Sequence, residues 1–129
     1  TVDVCKANHH AYKDAMTQGF VKNIGAFAYI IPAWDHEHIQ PVVIERMITL
    51  SPHEGGPRIF PTQFPVKLRN QYSKEKWMNS VCQEDGHVVV KVFDKGRRYK
   101  IYILSARDED HIVKGVYGPY YPRSGSLKN

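Results

Sequence analysis

The sequence predicts an α+β fold in which one N-terminal helix packs on a twisted antiparallel β-sheet. Three observations point there. Helix-spaced apolar residues are clearest near the N-terminus, the later segments are rich in β-branched and aromatic residues, and the two clearest of those flank a short polar turn. The 129 residues, 42% hydrophobic and 24% charged, suit a single domain spanning 1–129 with enough chain to bury a core.

In "NHHAYKDAMTQGF", Tyr12, Met16 and Phe20 recur every four residues with Ala15 beside them, and Asn8 is placed to cap the helix. Gly19 or Gly25 is positioned to end it. "AFAYIIPAW" and "PVVIERMITL" then read as strands, and "LSPHEGGPRIFP" as a loop by its Gly and Pro content. "FPVKL" reads as a short strand, and "SKEKWMNSV" as one or two helical turns opened by Ser73. "HVVVKVF" and "RRYKIYILS" flank Asp94-Lys95-Gly96 as a hairpin, with apolar and polar residues alternating from Arg98 to Ile103. After the turn "ARDED", "HIVKGVYG" forms a further strand, and the chain is expected to be loose from about residue 122.

The net charge is +5, with basic residues gathered at 67–76, 91–100 and 123–128. Such a surface favours nucleic acid or acidic proteins, although charge runs also form plain solvated faces. No run approaches the roughly 18 apolar residues of a membrane span, and the chain opens TVDVCKAN without an initiator Met, as a processed product would. Cys5 and Cys82 are too few and too far apart for a zinc ribbon or finger. The even count suits one disulfide in a secreted protein, worth roughly 4 kcal/mol through loop entropy; two unrelated buried thiols are the alternative.

His36-Glu37-His38 is the densest cluster of potentially catalytic groups, with His36 and His38 on one side of an extended segment. No third ligand for a metal stands out among the other histidines, and no hydrolase or phosphate-loop motif occurs, so neither metal nor cofactor is expected.

An N-terminal Cys, one helix, an aromatic-proline strand, a strand opening with Arg and a last strand containing Gly-Val together resemble the fungal guanyl-specific ribonucleases. More closely, the pattern resembles the ribonuclease-like secreted effectors of cereal powdery mildews, the RALPH effectors. The likeness is loose over 5–117 and best at 63–72 and 98–117. It implies a microbial ribonuclease-like sheet, secretion, and action in the host cytoplasm. The active ribonucleases use a carboxylate as general base, a histidine as general acid and an arginine on the phosphate.

Here the base position before Phe64-Pro65-Val66 is Gln63, whose amide cannot take up a proton as a general base at neutral pH. Where the acid histidine would follow Gly-Val, the chain reads Gly115-Val116-Tyr117-Gly118-Pro119. The early Tyr-Pro-His motif is echoed only by Ile31-Pro32-Ala33. Gln63, Tyr117 and Gly118 are therefore degenerate positions, and Arg97 or Arg98, with Lys100, Lys67 and Arg69, could still contact phosphate. The resemblance thus implies an inactive ribonuclease fold serving as a virulence or avirulence effector, with a host plant protein or immune receptor as partner and at most weak, non-specific RNA binding.

Two other functions compete with it. One is an active ribonuclease using His36 or His38 with Glu37 or Glu45 beside Arg97 and Arg98. The other is an RNA-binding module stacking bases on Tyr99, Tyr102, Tyr117, Tyr120 and Tyr121.

Overall fold

The structure is a computed structural model that describes residues 2–35, 37–54 and 56–122. The tail expected to be loose, with the basic run at 123–128, and His36 lie outside these residues. The described residues form a mixed α/β structure with three α-helices and two three-stranded sheets. Strands β1 (Val4–Lys6), β2 (Ala28–Ile31) and β3 (Arg58–Pro61) form a parallel sheet in that order. Strands β4 (His87–Phe93), β5 (Arg98–Leu104) and β6 (Val113–Tyr120) form an antiparallel meander.

An antiparallel sheet throughout was expected; only the second half has one. The first half runs strand–helix–strand–helix–strand, and such crossovers return the chain in parallel. The two faces of the parallel sheet bury different sets of residues. Tyr29, Ile31 and Ile59 meet the helices, while Ala28 and Phe60 meet Tyr99, Ile101 and Ile103 of the meander. The molecule is thus layered, helices on parallel sheet on antiparallel sheet. A strand covered on both faces is apolar throughout, which is why "AFAYII" lacks alternation.

The N-terminal helix lies further along than the spacing predicts. Asn8–Ala11 is a single 3₁₀ turn with His9 and His10 at φ 42° and 52°, and α1 covers Gln18–Ile24. Thr17 rather than Asn8 caps it, its Oγ1 accepting from Phe20 N at 3.4 Å, and Gly25 ends it at φ 51°. The residues before it are held by β1, from which Ala7 N continues to Ile30 O at 2.8 Å. Tyr12 and Met16 therefore share no helix face with Phe20.

"PVVIERMITL" is a helix, α2 (Pro41–Thr49), not a strand. Pro41 at the first turn suits a helix start, and Val43, Ile44 and Met47 line one buried face. Burial against the parallel sheet outweighs the β-preference of the branched residues. "FPVKL" likewise enters α3 (Val66–Gln71), which sets Leu68 and Tyr72 against the core while Val66 faces solvent. The expected loop yields β3 at its end, and the turn expected from Ser73 starts later, at Lys76–Ser80. The hairpin β4–β5 lies where expected, and β6 runs two residues later than the expected strand "HIVKGVYG".

Cys5 and Cys82 are free thiols, so the expected disulfide is not present. Cys5 stands opposite Tyr29, Tyr29 opposite Ile59, and Ile59 bridges Val81. Three strand spacings, roughly 14 Å, separate Cys5 from Val81, whereas a disulfide needs Cα atoms within about 7 Å. Cys5 packs on the helix side of the parallel sheet and Cys82 on its other side.

Candidate functional site

Between the two sheets runs a concave seam built on the segment Val81 to Gly86, which links the parallel layer to β4. One cleft of about 400 Å³ is lined by Arg58, Phe60, Cys82, Glu84, Tyr117 and Tyr120, among others. A neighbouring cleft of about 440 Å³ shares Gln83 and Glu84 with it and is lined by Gln63, Asp85, Arg107 and Lys114. Glu84 stands where the two meet.

The sequence explains this placement. Cys82 N donates to Ile59 O at 2.8 Å and Gly86 N to Thr62 O at 2.9 Å, which ties the segment along β3 and its exit. Gly86 is required there, because a Cβ would stand 2.1 Å from Leu104 O. Asp85 accepts from Phe64 N at 3.1 Å and pairs with Arg69 at 3.2 Å, while Arg69 also donates to Gln83 O at 2.6 Å. Lys114 Nζ reaches Asp85 O at 2.5 Å.

At the centre, Tyr117 Oη donates to the Glu84 carboxylate, and Cys82 Sγ lies 3.1 Å from Glu84 Oε2 and 3.2 Å from Tyr117 Oη. The Tyr117 hydrogen bond is the main reason that Glu84 holds its proton less tightly than an ordinary glutamate. Burial pushes the Cys82 thiol up to about 11 and raises the Tyr117 phenol further still. The cluster is a carboxylate held ionised by two neutral donors.

The structure distributes the residues singled out in the sequence over several places. Gln63 and Tyr117 flank Glu84 in adjoining clefts. Gly118 adopts φ 106°, and a Cβ there would meet Tyr120 N at 2.9 Å, so its role is to turn the strand. Arg98 pairs with Asp94 at 2.5 Å at the far end of the hairpin; neither it nor exposed Arg97 or Lys67 lines either cleft. Arg69 is taken up by Gln83, Phe64 and Asp85. Lys100 stands on the outer face of the meander, opposite Lys91.

Of the relocated acid/base pair, His36 lies outside the described residues, and His38 and Glu45 line no common cleft. His38 Nδ1 accepts from Trp34 N and Asp35 N at 3.1 and 3.2 Å, closing its own loop. Glu45 lies on α2 in a separate groove with Gln18 and Thr49. The tyrosines do not share one platform. Tyr99 is buried, Tyr117 and Tyr120 face the seam, Tyr102 lies on the outer face, and Tyr121 is exposed.

Glu84, Asp85 and Arg58 were missed by the sequence reading. For Glu84 and Asp85 the only signal was their position in "CQEDG", a polar stretch running into a β-strand; Arg58 lay at the end of a segment read as a loop. No family model, curated protein or solved structure matches this chain.

Proposed function

We propose that the protein acts by binding rather than by catalysis, as a secreted effector of the ribonuclease-like kind whose partner is a protein of the plant host cell. The antiparallel meander is the part that corresponds to a ribonuclease sheet in this reading, with Gln63 and Tyr117 at the emptied base and acid positions. An immune receptor is a further partner that the resemblance implies. One observation carries the non-catalytic reading: every shifted group at the centre of the seam is moved away from neutrality. A base or acid working near pH 7 needs a pKa near 7. Cys82 and Tyr117 are raised and Glu84 is lowered, so none is poised to exchange a proton there.

Incubation with a single-stranded, guanosine-containing RNA tests this. Neither the wild type nor Gln63→Glu should cleave it, since a restored base leaves the departing oxygen without a proton donor. Robust cleavage by the wild type that is lost in Glu84→Gln would reject the reading.

A specific feature supports weak RNA binding as a second reading. Lys91 and Lys100 stand directly opposite each other on the outer face of the meander, with their ammonium groups 5.3 and 5.7 Å from the Phe93 ring centroid. Like charges placed so repel, and an anion between them relieves the repulsion. Binding of this kind follows phosphate charge and falls steeply with salt. Lys91→Ala with Lys100→Ala should abolish binding to a polyuridine strand at low salt; tight, salt-resistant, sequence-specific binding would overturn the reading.

A further inference from the structure

The antiparallel sheet has two edges of different character. On one side, β6 loses register with β5 twice and carries Gly118 at φ 106° followed by Pro119, which has no N–H. Such interruptions protect an edge from adding strands. On the other side, β4 keeps seven consecutive pairs with β5, from His87↔Leu104 to Phe93↔Arg98. Its sequence, HVVVKVF, holds no Gly, no Pro and no acidic residue. Among the described residues, the backbone groups on its free side lack partners within the sheet, and Val89 and Val92 are exposed, Val92 at 62%.

We propose that β4 is a self-association edge: two copies of this chain pair their β4 strands antiparallel about a twofold axis through Val90, joining two three-stranded sheets into one of six. The argument for a second copy is the strand's symmetry under reversal. With Val90 on the axis, Val88 faces Val92 and Val90 faces itself on the side that packs inward. On the outward side His87 faces Phe93, and Val89 faces Lys91. Moving the axis to Lys91 sets two lysines directly opposite, which costs stability. Moving it to Val89 leaves Val92 and Phe93 unpaired. A shift of one residue in the pairing turns the partner's apolar face outward. One register satisfies the whole strand, and it is a register of the strand with itself.

The contact is small beside the roughly 1,200–2,000 Å² of stable complexes, so monomer and dimer should exchange at micromolar concentrations. Because each chain carries +5, the copies repel at long range. Salt should therefore strengthen the dimer. The pairing leaves the Lys91–Lys100 face and the seam open, and it does not depend on the function proposed above.

Sedimentation velocity over a dilution series tests the proposal, together with amide hydrogen exchange at high and low protein concentration. The wild type should dimerise, and amides of β4, but not of β6, should gain protection as concentration rises. Val92→Lys places a charge on an exposed edge position and should weaken dimerisation by about tenfold or more. Val116→Lys, on the outer face of β6, should leave it unchanged. A wild type that stays monomeric into the high micromolar range overturns the proposal. So does a dimer that Val92→Lys leaves intact, or one whose concentration-dependent protection maps away from β4. The exchange measurement uses the wild type alone, so it decides the question even where a variant misfolds.

Discussion

Tyr117 on the last strand donates its phenolic hydrogen bond to Glu84, which lies on the segment leading into β4, and so fastens the meander to the segment that crosses from the parallel sheet. A hydrogen bond to an ionised group contributes about 1.5–3 kcal/mol, and partial solvent access places this one toward the lower end. Tyr117→Phe should therefore destabilise the protein by about 1.5 kcal/mol. It should also let the Glu84 carboxyl titrate at higher pH, seen as an upward shift of its ¹³C NMR titration midpoint. An unchanged midpoint would show that the contact does not hold Glu84 ionised.

Acid should act on the same contact. The folded-state pKa of Glu84 is depressed, so the unfolded chain binds the proton more tightly. Its contribution to stability is complete above the unfolded value and is lost as pH falls through the folded one. Urea midpoints measured from pH 6 downward should drop less in Glu84→Gln than in the wild type. Parallel curves would count against this assignment.

Alkali acts with the opposite sign. Cys82 is raised to about 11 and Tyr29 to about 12, both chiefly by burial. Above the ordinary thiol pKa the unfolded state releases protons that the folded state keeps, so stability should fall from about pH 9 upward. Cys82→Ser should flatten the first part of that decline in denaturation curves from pH 8 to 11.

The thiols themselves give a chemical readout. Without reductant, denatured protein should take up two alkyl groups by intact mass. In the native state at pH 8, Cys82 should react far more slowly than a free thiol, because it is buried and protonated. An unreduced protein that takes up no alkyl group would reinstate the disulfide.

Gly86→Ala should be among the more damaging single changes. Its φ of 154° strains a side chain, and the added Cβ would meet Leu104 O at 2.1 Å, a backbone atom at the end of β5. A loss of about 1–3 kcal/mol from backbone conformation alone is expected, with the clash adding to it. Chemical denaturation measures this directly; a change within 0.5 kcal/mol, as is usual for surface sites, would show that the segment relaxes freely.

What the sequence determined by itself lies mostly in the second half. Between Arg98 and Ile103 one face is buried and the other solvated, so the period of two is written in the residues, and Asp94-Lys95-Gly96 supplies the turn. A glycine helix end was legible as Gly19 or Gly25, because a left-handed terminus favours glycine, and the fold selects Gly25. Tertiary structure decided the first half. Covered on both faces, β2 carries no alternation, and the apolar face of α2 is made of β-branched residues whose helical spacing is masked by strand-like composition. The site was decided there as well. Glu84, Tyr117 and Arg58 are far apart in sequence, and they meet because Val81 and Cys82 extend the parallel sheet while β6 returns the chain beside β5. The fate of the cysteines has the same cause, since composition fixes their number but the order of the strands between them sets their distance.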